Sequence, residues 1–218
     1  MVTSLGRHPL RPSILLQLKQ NLILREIPTG AWDPLERVLE VCDYRKGEPL
    51  VHQGTTSMEQ FFILEGILKR VVSNAGGKEM ILRFAAETDM DTSYAAWRLR
   101  TPVPYSIVAV TGVRVARVSM PHWVEFLDIQ ASIKSQFEYE VMRLMSEVMA
   151  HTITLHLLDA PGRVARFERK HPDLVGRIPN KELASYLNLT PETLSRLKQR
   201  RVVARTTGIG SSTKSQAG

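Results

Sequence analysis

Near its C-terminus the chain reads NKELASYLNLTPETLSRLKQRR over Asn180–Arg201. The residue types and spacing here suit one chemistry, hydrogen bonding to nucleic-acid bases and phosphates. Arg196 carries a guanidinium fork that matches guanine O6 and N7. Glu192, one helical turn earlier on the same face, can accept from cytosine N4. Ser195 lies beside them, within reach of a base edge or a thymine methyl. Thr190, Thr193, Gln199 and the basic group Lys181, Arg200 and Arg201 suit phosphate contacts, which set register without reading sequence.

Two short helices must position these groups. Asn180 is suited to cap the first, whose inward residues are Leu183, Ala184 and Leu187; a small residue at Ala184 lets a second helix approach closely. Asn188 occupies the turn, where asparagine tolerates left-handed backbone better than most residues. Leu189 plugs the space between the helices. Thr190 caps the second helix, Pro191 fills its first position, and Leu194 and Leu197 face inward. The pattern predicts a helix-turn-helix that presents Glu192, Ser195 and Arg196 outward. A plain helical hairpin docking an acidic protein is the competing reading.

Charge distribution agrees with a polyanionic partner. Of 218 residues, 43% are hydrophobic and 23% charged, ordinary for a globular chain. Residues 1–158 carry 17 basic and 17 acidic side chains, whereas residues 159–218 carry 12 and 5, so the whole +7 resides in the last quarter. The single cysteine, Cys42, excludes an internal disulfide and a thiolate-held cluster. No apolar run reaches the ~18 residues of a membrane span, and Ile14–Leu24 is interrupted by Gln17, Lys19, Gln20 and Asn21. A cytoplasmic protein without membrane contact is expected.

Upstream, Asp33-Pro34-Leu35-Glu36 reads as a capped helix start with a capping box. Leu35, Val38, Leu39 and Cys42 then form one inward helical face. From Asp43 to Ser119 the period changes. Short β-rich runs (Pro49–His52, Gln60–Leu64, Ile67–Ser73, Met80–Phe84, Tyr105–Val110, Val113–Val118) alternate with glycine turns at Gly47, Gly54, Gly66, Gly76-Gly77 and Gly112. This spacing predicts a jelly roll. Pro121 opens further helix. Phe137, Val141, Leu144, Val148, His151, Leu155 and Leu158 repeat by fours and threes, a seam for a partner helix in a homodimer. A second stripe, Met142, Met145 and Met149, lies one position around; one stripe can pack on the chain's own β-domain while the other meets the partner. Asp159-Ala160-Pro161-Gly162 breaks the helix and reads as a hinge. The expected class is α+β: an extension (1–32), a jelly-roll sensor (33–120), a connecting and dimerisation helix (121–158), a helix-turn-helix domain (159–205) and a disordered tail (206–218).

This order of parts resembles the Crp/Fnr transcription regulators. FFILEGILKRV followed by GGKEMILRFA is similar to the family's central hairpin, and TPETLSRL to its recognition helix, closer to the Fnr side than to the cyclic AMP receptor. RIPNKELASYLNLTPETLSRLKQ and DTSYAAW are similar to a subgroup in which little follows that helix. The resemblance implies a homodimer that binds a palindromic operator and acts with RNA polymerase, its two DNA-binding domains shifted by whatever effector the β-roll senses. Three departures accompany it. Thr92-Ser93 stand where the family's cyclic-nucleotide cassette has Gly-Glu, and Val103-Pro104 where it has Arg-Ser or Arg-Thr. Without that arginine the cyclic phosphate loses its bidentate partner, so cyclic AMP is not the expected effector. Thr92, Ser93, Arg98 and Arg100 remain candidates for another small-molecule ligand. The cysteine cluster of Fnr is absent, and only Val202-Val203 stand where a wing would begin.

No catalytic constellation, metal site or cofactor is expected. His52, His122, His151 and His156 lack a motif for haem, and a five-residue separation does not put His151 and His156 on one helix face. A cupin-like enzyme would need several histidines on adjacent strands, and only His52 falls in a predicted one.

Overall fold

The computed structural model describes the backbone of residues 2–208 and the side chains of residues 2–200. It divides into two compact units, Met1–Thr152 and Ile153–Gly218, each described by itself.

The first unit begins with β1 (Val2–Ser4), α1 (Arg11–Leu18) and α2 (Trp32–Val38). Eight strands and one short helix follow: β2 (Glu40–Tyr44), β3 (Pro49–Val51), β4 (Glu59–Glu65), β5 (Leu68–Ser73), β6 (Glu79–Ala85), β7 (Met90–Thr92), α3 (Tyr94–Leu99), β8 (Ser106–Ala109) and β9 (Val113–Ser119). Then come α4 (Met120–Ile129) and α5 (Ala131–Leu157), whose end enters the second unit. The strands pair antiparallel in two sheets, β1-β2-β9-β4-β7 and β3-β8-β5-β6. This is the expected jelly roll. Along β4, five consecutive residues from Gln60 to Leu64 are buried. Successive strand residues face opposite ways, so this strand is covered on both faces. Trp123 of α4 meets Phe62 edge-on at 5.4 Å and stacks on Phe126 at 5.5 Å, and Phe137 of α5 meets Trp123 at 5.3 Å.

Several expectations are corrected in this unit. Cys42 is buried, but in β2 rather than on a helix: α2 ends at Val38, and Val41 and Cys42, on opposite strand faces, are each 2% exposed. Burial pushes its thiol pKa up. Asp33 does not cap α2, which begins one residue earlier. Glu36 closes no capping box, because its carboxylate pairs with Arg11 of α1. Residues 2–32 are no appendage: β1 extends the first sheet, and Leu5, Ile14, Leu18, Ile23 and Leu24 join the sandwich core. His52 falls just beyond β3. Gly47, Gly54, Gly66 and Gly77 have positive φ, whereas Gly76 and Gly112 do not. At Gly66 (φ +89°) a Cβ would lie 2.2 Å from the Gly112 carbonyl oxygen, so two loops meet there only because no side chain intervenes.

The predicted 121–158 helix is interrupted at Gln130, and its seam is reassigned. Phe137, Val141 and Leu144 are 0%, 7% and 1% exposed, inside the sandwich's own core. Val148, His151, Leu155 and Leu158 are partly buried. The outward apolar face is the other stripe, with Met142 at 64%, Met145 at 37% and Met149 at 65% exposure. The heptad spacing was real; the jelly roll covers the first half of that face.

The second unit holds the end of α5, α6 (Ala160–Lys170), α7 (Asn180–Tyr186) and α8 (Pro191–Gly208). Val164, Phe167, Leu174, Ile178, Leu183, Ala184, Leu187 and Leu194 form its core, with Tyr186 edge-on to Phe167 at 5.8 Å. Among the described residues no strand follows β9. α8 continues through Val202-Val203, where a wing would begin, and to Gly208, into the expected tail. Residues 209–218 lie outside the described residues.

Candidate nucleic-acid interface and sensor interior

Two arginines and one aspartate occupy the interior of the sandwich. Arg70, third in β5 and two residues after the fully buried Leu68, points inward and is 1% exposed. Its guanidinium pairs with Asp91 of β7, whose side chain is equally buried, and donates to the Thr92 carbonyl at 3.3 Å. Its face lies 4.1 Å from the Tyr105 ring, and the Tyr105 hydroxyl donates to the same carbonyl at 2.7 Å. Arg83 of β6 donates to the Met90 carbonyl at 3.1 Å and faces Asp91 and Asp89 at 3.5 Å each. The Thr92 N–H donates to Asp91 at 2.8 Å. Burial pushes the Tyr105 hydroxyl and the Asp89 carboxyl upward in pKa, with the neighbouring arginines opposing. The Arg70 and Asp91 charges need one another, because neither reaches water.

In the second unit Asn188 adopts φ 52°, the left-handed turn expected of it. The N–H groups of Asn188 and Leu189 donate to Ser185 and Ala184 carbonyls at 3.1 and 2.9 Å, closing α7. Thr190 caps α8, its hydroxyl accepting from the Thr193 N–H at 3.2 Å; the Thr193 hydroxyl lies 3.1 Å away. Asn180 is not a cap. Pro179 precedes α7, and the Asn180 amide oxygen instead accepts from Lys198 of α8 at 2.7 Å, a tether between the two helices. Glu192, Arg196, Gln199 and Arg200 are exposed, while Ser195 and Thr193 are partly so. Glu192, Arg196 and Arg200 follow at intervals of four, one strip of α8. Hydrogen bonds from its own N–H and from Thr190 hold the Glu192 carboxyl below its ordinary pKa. Lys181 is exposed on α7. The Arg201 side chain lies outside the described residues.

Comparison with known proteins agrees with this geometry. The cyclic nucleotide-binding domain family matches residues 41–130. The cAMP-activated global transcriptional regulator CRP of Salmonella typhimurium is 23% identical over 179 residues, covering 76% of this chain and 85% of its own. Among solved structures, FixK2 from Bradyrhizobium japonicum superposes with a TM-score of 0.68 at 19% identity, covering 79% of this chain and 87% of that one. A CooA mutant from Carboxydothermus hydrogenoformans gives 0.65 at 16% identity, covering 85% and 83%. The chain contains a cyclic nucleotide-binding domain and shares its overall fold with solved structures of Crp/Fnr-type regulators.

Within this jelly roll the four ligand candidates do not converge. Thr92 and Ser93 are 2% and 0% exposed, and the Thr92 hydroxyl is engaged in accepting from the Tyr94 N–H at 3.1 Å. Arg98 donates to the Tyr94 hydroxyl at 3.3 Å, and that hydroxyl donates to Glu138 of α5 at 2.7 Å. Arg100 closes α3 in the left-handed conformation (φ 54°) and lines a surface cavity of about 430 Å³ with Thr56, Met58, Trp97, Thr101 and Pro102. The sequence reading missed Arg70, Arg83, Asp91 and Tyr105. A signal existed: Arg70 stands at an inward strand position among Leu68, Val71 and Val72, where a charge needs a buried partner. Among the described residues no cluster of three His, Cys, Asp or Glu has metal-holding geometry, and no helix is long and apolar enough to cross a membrane.

Removing one member of the Arg70–Asp91 pair should cost far more than a surface change. Asp91→Ala strands a buried guanidinium, so equilibrium urea unfolding should register a loss of about 3–5 kcal/mol. A loss below about 1 kcal/mol would show that water reaches Arg70.

Proposed function

We propose that this protein is a homodimeric transcription regulator that reads a palindromic operator with α8 and senses through its jelly roll an effector other than cyclic AMP. The observation that carries the reading is the exposed strip Glu192, Arg196 and Arg200 on a helix held by a left-handed asparagine turn and a threonine cap. Arg196, Glu192 and Ser195 are assigned to base edges. Lys181, Thr190, Thr193, Gln199, Arg200 and Arg201 are assigned to phosphates. RNA polymerase is the expected protein partner, and the reading requires no catalytic group or cofactor.

Dimerisation is assigned to Met142, Met145 and Met149 rather than to the predicted seam. Ile153 and Leu157, 50% and 78% exposed, continue that stripe along α5. An apolar face of this length is a natural seam for a second copy. The chemistry against cyclic AMP is twofold. The cassette's acidic and basic residues are replaced by Ser93 and Val103, and the sandwich interior is occupied by Arg70, Asp91 and Tyr105. A neighbour of the same fold, CLP from Xanthomonas campestris (TM-score 0.62, 12% identity, covering 81% of this chain and 93% of that one), is described as c-di-GMP responsive; effectors therefore differ across this architecture. Any effector acts by binding one arrangement of the dimer better than another.

Four measurements test these assignments. Operator fragments selected from random duplex DNA should show two half-sites about 34 Å apart. On them Arg196→Ala should cost ~1–3 kcal/mol and relax discrimination at one base pair per half-site, whereas Arg200→Ala should weaken all sequences alike and shallow the salt slope by about one. Identical uniform losses would refute the base-reader assignment. Met149→Glu places like charges across the seam and should sediment as a monomer at micromolar concentration; a persistent dimer would move the interface elsewhere. Millimolar cyclic AMP or cyclic GMP should raise neither the melting temperature nor operator affinity, since a ligand bound by the native state alone must stabilise it.

A further inference from the structure

Only Leu158 and Asp159 stand between the last residue of α5 and the first of α6. Proline and glycine follow after Ala160, and the sequence predicts a hinge. The joint is instead fastened. The Leu158 N–H donates to the Thr154 carbonyl at 3.1 Å, continuing the helical pattern of α5. The Asp159 carboxylate caps α6 by accepting from the Gly162 N–H at 2.9 Å. A Cβ at residue 162 would lie 2.8 Å from that carboxylate oxygen, so the glycine keeps the cap closed. The Arg163 N–H donates to the Asp159 carbonyl at 3.0 Å.

The Arg163 side chain joins this turn to the reading head. Its Nε donates to the Leu158 carbonyl at 2.9 Å, and its Nη1 donates to the Leu187 carbonyl at 3.1 Å and the Asn188 carbonyl at 3.4 Å. Leu158 follows the end of α5, whereas Leu187 and Asn188 close α7 and form the turn that aims α8. Carbonyls at helix C-termini lack intrahelical donors and carry the negative end of the helix dipole. A guanidinium offers five donors in a rigid planar fork. One side chain therefore satisfies both ends and fixes the angle between them.

We propose that Arg163 is a positioning residue for DNA recognition: it locks the end of α5 to the helix-turn-helix, so that these parts move as one body and the half-site spacing is set through it. The spacing consequence rests on the DNA-binding reading; the rigid-body consequence does not. It also displaces the pivot. The Asp159–Gly162 turn moves with α8, in keeping with a compact unit that begins at Ile153 within α5.

The test uses the full-length protein with Arg163→Met and Arg163→Lys. Lysine keeps the charge, but its ammonium lacks the fork that spans both helix ends. In the DNA-independent arm, spin labels replace the exposed His156 and Gln199, and the distance distribution is read by pulsed electron resonance in dimers diluted with unlabelled chain. Wild type should give one narrow distribution and Arg163→Met a broad one, with Arg163→Lys between. In the DNA arm, affinity for a single half-site should stay within about threefold of wild type, while the roughly tenfold preference for the optimal spacing over one base pair more or less should largely disappear. A narrow distribution in Arg163→Met overturns the proposal. So does a uniform loss of affinity with the spacing profile unchanged, the result of a merely structural role. Where Arg163→Met fails to fold, Arg163→Lys decides by the same criteria. If wild type selects no palindrome, the DNA reading fails while the distance arm still judges the clasp.

Discussion

The first unit is organised by a charge pair that cannot reach water. Arg70 on β5 and Asp91 on β7 belong to different sheets, and their contact ties the two layers of the sandwich together. Backbone ladder hydrogen bonds join strands within a sheet and do not hold sheet to sheet. Apolar side chains do so without direction, whereas a desolvated ion pair tolerates little displacement before its Coulomb attraction falls below the desolvation cost. Tyr105 and Arg83 extend the same network, and with Arg70 they converge on residues 90–92. The segment just before α3 is therefore pinned from inside, and α3 begins where it must for Tyr94 to reach Glu138 of α5.

Much of this was legible from residue order. The helix-turn-helix is local: Asn188 in the turn, the Thr190 cap, Pro191 at the helix start and inward Leu183, Ala184 and Leu194 all stand where propensity puts them. The longer strands were marked by glycine and β-branched runs. What escaped was short or non-local. β1 and β7, at three residues each, are too brief for an alternation signal, and β2 follows α2 so closely that Leu35, Val38, Leu39 and Cys42 mimic one helical face. Asp33 and Asn180 are good capping residues at the wrong positions. Glu36 and Asn180 are each claimed by a partner, Arg11 and Lys198, that local spacing cannot reveal.

The long helix shows why a periodic pattern does not name its partner. Its two apolar stripes lie side by side, and Phe137, Val141 and Leu144 have the shape-defined side chains of a fixed core. Methionine is unbranched and adaptable, suited to a surface that meets another surface rather than a preformed slot. Stripe chemistry separates the two roles where spacing cannot. Phe137 also serves Trp123 and Tyr94 in aromatic contact, a demand set by the jelly roll and invisible along α5.

A similar distinction governs the second unit, where the sequence suggests looseness and the hydrogen bonds oppose it. Proline and glycine together usually mark a place where chain direction can vary. Here Pro161 sits within the first turn of α6, where its missing N–H costs nothing, and Gly162 is needed for the room it leaves to Asp159. Both residues define one geometry rather than permit many. The same reading applies to Asn188, whose left-handed backbone brings its carbonyl toward Arg163. Breakers at these two corners thus build one frame, and the polar strip of α8 takes its direction from that frame rather than from α8 alone.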